Sequence, residues 1–301
     1  MIKSIVITNH LNESMKLELG FPEKSGFLIT NITGLGPPKA SINSTEVSTF
    51  DGSVFNSSRV GTRNIVFTFK LLGTPLIEDT RQKSYKYFPI KRRIKITIET
   101  DNRTCETYGY VESNEPNIFS SEETAVVSII CPDSYFYSSM MSTTVFSGVQ
   151  SEFEFPFSNE SLSENLIDMG DIIINQEKTI YYMGDADIGI AIFIHALGSA
   201  ANVIIGNNQT HEIMKIDTVK LQELTGSAII AGDDIIISTI NGNKFIQLFR
   251  NGVYYNILNC LDKNTNWFQL TKGDNLFAFT AESGASNLQF KIENRIAYEG
   301  V

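Results

Sequence analysis

Short runs in which every second residue is apolar are the feature that most constrains the fold of this chain. In the first half such runs cover residues 65–71 and 94–98, and in the second half residues 153–157 and 188–194. A period of two is typical of β-strands that bury one face. Turn pairs such as Asn241-Gly242 separate the runs at short intervals. The sequence therefore predicts a mainly β fold.

Breaker residues divide the chain into elements and domains. Thr74 and Pro75 suit the start of a helix and Pro89 its end, and the residues between them that follow helical spacing are Ile77, Arg81, Tyr85 and Phe88. A Ser- and Thr-rich segment without periodicity covers residues 138–144. The 301 residues are enough for two domains. We predict an α+β domain over residues 1–140 and a β-sandwich over residues 141–301.

Several apolar segments are predicted to be buried. Residues 126–131 are almost continuously apolar and β-branched, which predicts a strand buried on both faces. His195 lies in a very apolar strand, which favours a core imidazole over a catalytic base. The cysteines are odd in number, widely spaced and without a C-x-x-C pair, so we expect reduced core thiols: Cys105, Cys131 and Cys260.

The net charge of −10 is unevenly distributed. Residues 1–145 contain 15 Lys and Arg against 15 Asp and Glu, whereas residues 146–301 contain 9 against 19. The acidic second half argues against nucleic-acid binding there, because phosphate backbones require clustered cations, and it favours a well-solvated surface. The sequence has neither an apolar run of about 20 residues nor a secretory pattern at its start, so we expect assembly in the cytoplasm without a membrane segment.

The sequence contains no recognisable catalytic motif. The three histidines, His10, His195 and His211, lack the spacings of metal or catalytic sites, and Gly34-Leu35-Gly36 is followed by two prolines that cannot donate N–H groups to an anion. The aspartates of Gly232-Asp233-Asp234 are interpreted as turn residues. We therefore predict no enzyme activity, no catalytic residue, no metal and no cofactor.

A few aromatic residues are candidates for surface contacts. Trp267 is either a stacking platform for a sugar or a core residue. The pairs Tyr181-Tyr182 and Tyr254-Tyr255 each place one ring on either face of a strand, so one tyrosine of each pair is predicted to be exposed.

The order of several motifs resembles the distal tail protein family of long-tailed, siphovirus-type phages. In the first half the resemblance is carried by Ile32-Thr33-Gly34-Leu35-Gly36-Pro37-Pro38, Phe50-Asp51-Gly52, Arg63-Asn64-Ile65, the helix start at Thr74-Pro75, and Ile130-Cys131-Pro132-Asp133. The second half is similar to the carboxy-terminal domain seen with that family through Gly184-Asp185, Gly232-Asp233-Asp234, Asn241-Gly242-Asn243, Trp267, Gly273-Asp274-Asn275 and Tyr298-Glu299-Gly300-Val301. The match is spread over nearly the whole chain.

The resemblance implies a structural hub of the phage tail tip, or baseplate. It implies a ring-forming first domain, a β-sandwich or split barrel with one helix, and a peripheral galectin-like β-sandwich. The expected assembly is a homo-hexamer in the virion tail that joins the tail tube protein to the tail tip protein, the tail-associated lysin or hub. Receptor-binding or adhesion proteins are the further expected partners, and DNA is expected to pass through the lumen without specific binding.

Some residues are predicted to contact neighbouring subunits or the tube, and two other functions stay open. The predicted interface residues are Gly34, Gly36, Pro37, Pro38, Asp51, Arg59 and Arg63. The first alternative is a carbohydrate-binding adhesion module that touches the host wall through Trp267 or an exposed tyrosine. The galectin His-Asn-Arg set is not found near Trp267, which argues against inherited sugar binding. The second alternative is a glycoside hydrolase, which would need paired carboxylates across a groove.

Overall fold

The computed structural model describes residues 1–46, 51–73, 76–120, 122–150, 171–174 and 176–301. The chain forms two compact units, the first made of Met1–Met140 with Ala297–Val301 and the second of Met141–Ile296. The mainly β prediction is confirmed. The predicted helix start at Thr74 and Pro75 and the predicted strand at residues 153–157 lie outside the described residues.

In its described residues, the first unit contains one α-helix between strands. Its elements are β1 (Ile2–Thr8), β2 (Ser14–Glu18), β3 (Phe27–Thr33), β4 (Ala40–Glu46), β5 (Ser53–Val60), β6 (Arg63–Leu71), α1 (Ile77–Tyr87), β7 (Arg93–Thr100), β8 (Thr104–Pro116), β9 (Thr124–Cys131) and β10 (Phe136–Ser138). The main sheet has the antiparallel order β2-β1-β7-β8-β9-β6-β3, and β10 pairs with β8. Its core comes from the inward residues of these strands. Strand β4 pairs with β5 in a separate hairpin.

Strand β9 corrects one prediction from the sequence. Its burial alternates: Val127, Ile129 and Cys131 are buried, whereas Val126 is exposed. The strand therefore buries one face, not two, because apolar β-branched residues such as valine also populate the solvent side of a sheet.

Helix α1 ends where Pro89 predicts, and Ile77 and Phe88 of the predicted spacing pack on the core, but Tyr85 does not. Thr80, Ser84 and Phe88 face the core at a spacing of four, while Tyr85 is exposed. The Thr80 hydroxyl donates to the carbonyl oxygen of Leu72 at 2.7 Å. The helix is thus held to the end of β6 partly by hydrogen bonds and not only by an apolar stripe.

The chain returns to the first unit at its last residues. Strand β25 (Ala297–Tyr298) pairs with β10, and the Val301 N–H donates to the carbonyl oxygen of Leu35 at 3.0 Å. The sequence assigned residues 141–301 to the second domain, but the structure groups Ala297–Val301 with the first unit. The reason is that this short strand pairs with β10, a non-local contact that periodicity does not reveal.

The second unit is a sandwich of two antiparallel sheets. Its elements are β11 (Ser142–Val145), β12 (Ser147–Gln150), β13 (Asp171–Ile174), β14 (Glu177–Tyr182), β15 (Ile188–Gly189), β16 (Ala191–Ala196), β17 (Ala201–Asn207), β18 (Glu212–Lys215), α2 (Thr218–Thr225), β19 (Asp234–Ser238), β20 (Phe245–Arg250), β21 (Val253–Asn256), β22 (Gln269–Leu270), β23 (Gly273–Ser283) and β24 (Leu288–Asn294). One sheet has the order β11-β24-β16-β19-β20-β21 and the other β14-β23-β17-β18. Between them lies one core, in which the rings of Phe279 and Phe290 stack with centroids 3.7 Å apart.

Helix α2 was not predicted from the sequence. Asp217 caps its start by accepting hydrogen bonds from the N–H groups of Val219 and Lys220, and Gly226 ends it in a left-handed conformation. Behind it the buried Arg250 guanidinium forms a two-pronged ion pair with Asp233, at 2.7 and 2.6 Å. This bond raises the pKa of Arg250. Asp233 is therefore an ion-pair partner in addition to a turn residue.

The cysteines agree with the sequence expectation. Cys105, Cys131 and Cys260 are free and buried. Burial raises the pKa of the Cys105 and Cys131 thiols to about 11, so both are protonated at neutral pH.

Candidate assembly surfaces

The hairpin of β4 and β5 is exposed on both faces. Each of the 15 residues in its two strands is exposed, so the hairpin stands clear of the core of the first unit. Strands of this length extend about 24 Å. An isolated two-stranded hairpin is only marginally stable in water, because it buries little apolar surface. The hairpin is therefore a surface that gains stability when it is covered.

One face of the hairpin carries four apolar side chains among polar ones. The register pairs Ala40 with Val60 and Ser44 with Phe55, and a bulge beside Asn43 keeps these pairs on the face that also carries Ile42. Ile42 is 70% exposed and Phe55 63% exposed. The opposite face carries Arg59 and the exposed Val54 among hydroxyl and amide side chains. Apolar side chains grouped on one exposed face are typical of a contact surface.

Arg63 anchors the base of this hairpin. Its side chain is buried and donates to four carbonyl oxygens, those of Ser134 at 2.8 Å, Gly34 at 2.5 Å, Gly36 at 2.7 Å and Glu299 at 2.6 Å. The guanidinium carbon lies 4.4 Å from the centroid of the Phe136 ring. Burial lowers the pKa of Arg63 from its usual value, although guanidinium stays charged in proteins. One side chain thus joins segments that are far apart in sequence.

The turn before the hairpin requires glycine at position 34. Gly34 has φ of +83°, and a Cβ there would lie 2.0 Å from the carbonyl oxygen of Asn64. No other residue fits this position without backbone movement. The turn is therefore fixed by its own conformation and by Arg63 before Pro37 and Pro38 lead the chain into β4.

The structure brings some predicted interface residues together and not others. Gly34, Gly36 and Arg63 meet at the base of the hairpin, and Pro37 and Pro38 follow in sequence. Asp51 and Arg59 are exposed on the hairpin segment. Arg63 is buried, and its hydrogen bonds hold the first unit itself together. Contact of these residues with other subunits stays a prediction.

Sequence reasoning missed the apolar face of the hairpin and misplaced His195. Ile42 and Phe55 lie among Ser and Asn residues without alternation, so their local sequence resembles a loop. His195 is not a core residue: it points to the outer face of β16, and its side chain is 44% exposed. Its neighbours Ile194 and Ala196 are buried instead, because an alternating strand places adjacent residues on opposite faces.

In each tyrosine pair, one ring is exposed and the other faces the core, because adjacent residues of a strand lie on opposite faces. Tyr181 and Tyr254 are exposed, whereas Tyr182 is buried and Tyr255 packs against the core, which confirms the prediction for both pairs. Trp267 is partly buried and also packs against the core, and the Lys244 ammonium lies 5.7 Å from its ring. A sugar contact at Trp267 stays a prediction.

Within residues covered by the structure, no group of three His, Cys, Asp or Glu side chains could hold a metal ion. Neither helix in that part of the chain has the length and apolar character needed to span a membrane.

Comparisons with known proteins find a similarity of fold. No protein-family model and no curated protein sequence matches the chain. The structure is similar to the crystal structure of SPP1 Dit (gp 19.1), described as a paradigm of the hub adsorption apparatus in phages that infect Gram-positive hosts, with a TM-score of 0.66 and 11% identity. The match covers 97% of this chain and 98% of that one. At this identity the similarity establishes a common fold across both units, in agreement with the family resemblance in the sequence.

Two further solved structures match less closely. They are chains of the phage P2 baseplate in its activated conformation, one with Ca and one with Sr. The TM-scores are 0.48 and 0.47, with 11% and 10% identity over at least 97% of each chain.

Proposed function

We propose that this protein is a structural subunit of a phage tail tip, in which six copies form a ring. The ring would join the tail tube to the tip and the host-adhesion proteins, and DNA would pass through its lumen. The observation that carries the proposal is the fold shared with SPP1 Dit over 97% of the chain. That protein is described as a paradigm of the hub adsorption apparatus, which supports a hub role for this chain.

The exposed hairpin supports self-assembly by the first unit. A ring of identical subunits needs two different surfaces on each copy that fit one another. The apolar face with Ile42 and Phe55 supplies one surface, and Arg63 and Gly34 hold its base in a fixed direction. Covering such a face removes apolar area from water, which favours association.

The charge distribution also supports the division of roles. The first half is balanced between cations and anions, which suits a unit that neighbours surround. The second half carries a net charge of −10, from 9 Lys and Arg against 19 Asp and Glu, which suits a solvated periphery. Adhesion proteins docking on that periphery are part of the proposal.

The test is the mass and shape of the purified chain, alone and mixed with the tail tube protein. Native mass measurement and negative-stain imaging should give a sixfold mass and an annulus. The double variant Ile42→Ser, Phe55→Ser should prevent the ring, because it removes the apolar face of the hairpin. The matched control Ile213→Ser removes a similarly exposed apolar side chain from the second unit and should still form rings.

Two outcomes would contradict this proposal. One is a monomer in both conditions. The other is a ring whose assembly is unaffected by the double hairpin variant, which would remove the hairpin from the proposed mechanism.

A further inference from the structure

The loop between β8 and β9 in the first unit presents two apolar side chains to solvent. Ile118 is 48% exposed and Phe119 is 96% exposed, and we call these two residues the apolar tip. Large aromatic side chains are frequent anchors of protein interfaces, where they enter a pocket or pack on an apolar surface of the partner. The tip therefore has the character of a group that another surface covers.

The loop that carries the tip is held at its base. The Asn117 N–H donates to the carbonyl oxygen of Thr124 at 2.7 Å. The Leu71 N–H of β6 donates to the carbonyl oxygen of Glu123 at 2.8 Å. The Glu123 carboxylate also accepts from the Arg81 guanidinium of α1 at 3.2 Å, and both side chains are largely buried. Because the base is fixed, little ordering entropy is lost when a partner covers the tip.

Negative charge surrounds the tip. Residues 104–135 include Asp and Glu but neither Lys nor Arg. Glu115 and Glu122 flank the tip in sequence, and both are exposed. Glu122 pairs with Lys70 at 2.7 Å, whereas no cation of the described residues lies within ion-pair distance of Glu115. A surface that receives the tip should therefore be apolar and bordered by positive charge.

The outward face of the main sheet contains such a surface. The register pairs Lys95 with Tyr108 and Arg93 with Tyr110, and it pairs Tyr110 in turn with the half-buried Ile130. Directly paired residues share a face of the sheet, so these side chains are neighbours. Tyr108 is 36% exposed and Tyr110 46% exposed. We call this group the receiving surface and define it by Arg93, Lys95, Tyr108, Tyr110 and Ile130.

The receiving surface carries positive charge without a counter-charge. Lys95 pairs with the buried Glu106 at 2.5 Å. In the part of the chain that the structure describes, no carboxylate lies within ion-pair distance of Arg93 or of the exposed Arg92 that precedes it. The guanidinium carbon of Arg93 lies 4.1 Å from the centroid of the Tyr108 ring, which holds the cation beside the aromatic rings. The receiving surface is thus complementary to the tip in both polarity and charge.

One chain cannot bring its own tip onto its own receiving surface. Both lie along β8, and the six residues from Tyr110 to the end of the strand at Pro116 span about 20 Å. Strand β8 is paired with β9 over this length, so it cannot fold back. A nucleic acid on the receiving surface would meet the exposed Glu112 two residues beyond Tyr110, which repels phosphate. These constraints favour a second copy of the chain as the occupant.

We propose that the apolar tip of one copy docks on the receiving surface of the next copy, head to tail. Phe119 covers the rings of Tyr108 and Tyr110, and Glu115 faces Arg93. Contacts between two different surfaces of identical subunits generate a ring when the rotation closes. This inference rests on the proposed ring and adds a contact that is separate from the hairpin of β4 and β5.

The experiment measures self-association of the full chain by sedimentation over a range of concentrations, at low and at high salt. The variant Glu115→Lys, Glu122→Lys reverses the charge beside the tip, and the variant Arg92→Glu, Arg93→Glu reverses that of the receiving surface. Each alone should weaken association about tenfold or more, because like charges then meet. Association of the unmodified chain should also weaken at high salt.

Mixing the two charge variants is the decisive measurement. In an equal mixture every tip can meet a receiving surface of opposite charge, so association should return, and native mass measurement should find equal numbers of the two variants in each particle. Because the same variants fail alone, their recovery in the mixture also shows that both are folded. Failure of the mixture to associate would overturn the inference.

The apolar part of the contact has its own test. The variant Ile118→Ser, Phe119→Ser should weaken association about tenfold or more, because it removes the side chains that cover the two tyrosine rings. The matched control Phe21→Ser removes another exposed phenylalanine of the first unit and should associate as the unmodified chain does. Unchanged association of the tip variant would overturn the inference.

The remaining outcomes separate this contact from the ring and from other occupants. A ring that the hairpin variant Ile42→Ser, Phe55→Ser prevents but the tip variant does not would overturn this inference alone. Association that the charge mixture restores but that stops at two copies would support the contact and contradict the ring. An oligonucleotide whose binding is lost in Arg92→Glu, Arg93→Glu while self-association is unchanged would assign the receiving surface to nucleic acid and overturn the inference.

Discussion

Each unit contains a buried arginine, and the two are used in opposite ways. Arg63 donates to carbonyl oxygens of residues that are up to 236 positions away in sequence. Arg250 instead forms an ion pair with Asp233, and its other partners lie between Thr225 and Asp233. Arg63 therefore joins distant parts of the first unit, whereas Arg250 fixes one local loop of the second.

Burial of a positive charge therefore serves different ends in the two units. A guanidinium that binds only neutral carbonyl oxygens keeps its charge, and four hydrogen bonds fix its orientation. A guanidinium that faces a buried carboxylate is neutralised, and removal of either partner leaves the other charge without compensation. The loss of Arg63 should therefore weaken the contacts between distant segments of the first unit. The loss of Asp233 should leave the buried charge of Arg250 without a partner.

The largest expected effect is that of Asp233→Ala. It leaves Arg250 buried without its carboxylate and should lower the free energy of unfolding of the second unit by about 3–5 kcal/mol. Trp267 is the only tryptophan and lies in this unit, so its fluorescence during denaturation reports the change. The control Asp187→Ala removes an exposed carboxylate and should have little effect. A loss below about 1 kcal/mol would show that the ion pair between Arg250 and Asp233 does not fix this loop.

A smaller effect is expected for Arg63→Met. The variant fills a similar volume but removes the donors to four carbonyls, and we expect the first unit to lose about 2–4 kcal/mol. Hydrogen exchange should increase at residues 34–36 and 297–301, while the Trp267 transition stays unchanged. Arg59→Met, on the exposed hairpin four residues earlier, is the matched control. Unchanged protection of residues 297–301 would show that Arg63 does not hold this segment to the first unit.

The smallest effect concerns the start of α2, whose other end contacts Arg250 through Thr225. Asp217→Ala removes the N-cap and should cost about 1 kcal/mol at neutral pH. Hydrogen bonds from the Lys220 and Val219 N–H groups lower the pKa of Asp217 below its ordinary value of 3.8. Because the pKa of Asp217 is lower in the folded chain than in the unfolded chain, the charged cap contributes its full stability above the unfolded pKa. That contribution is lost as the pH falls through the folded pKa.

The pH dependence gives a second measurement of the same cap. The difference in unfolding free energy between the unmodified chain and Asp217→Ala should be constant above about pH 5 and should narrow below about pH 4. Denaturation at several pH values, followed through Trp267, tests this. A difference that widened on acidification would contradict the capping role.

The sequence predicts the elements far better than their long-range partners. Alternation identifies β6, β7 and β16, and breaker residues identify the end of α1. Helix α2 was missed because Val219 and Leu224 are exposed, so no apolar stripe marks it, although Asp217 and Gly226 are correct capping residues. Local patterns therefore identify strands more reliably than short helices held by their caps.

The candidate surfaces could be predicted only in part, for a physical reason. The Gly34 turn has a local signal, but the four acceptors of Arg63 come together only in the folded unit. On the six-stranded sheet, the register of five strands places Gln289, His195, Asp234, Phe249 and Tyr254 side by side, which no single strand encodes. Exposure of the hairpin on both faces likewise depends on what the rest of the unit leaves uncovered.

Because β25 belongs to the first unit, the first unit can be completed only after the second unit has been synthesised. The ribosome makes residues 1–140 first, but their partner strand at Ala297–Tyr298 emerges only after the 156 residues of Met141–Ile296. At about 5–20 residues per second this is a delay of roughly ten to thirty seconds. During that time the second unit is free to fold on its own, while β10 has only β8 beside it and Arg63 lacks only its Glu299 acceptor. A chain interrupted before residue 297 would lack β25 and would therefore leave the first unit incomplete.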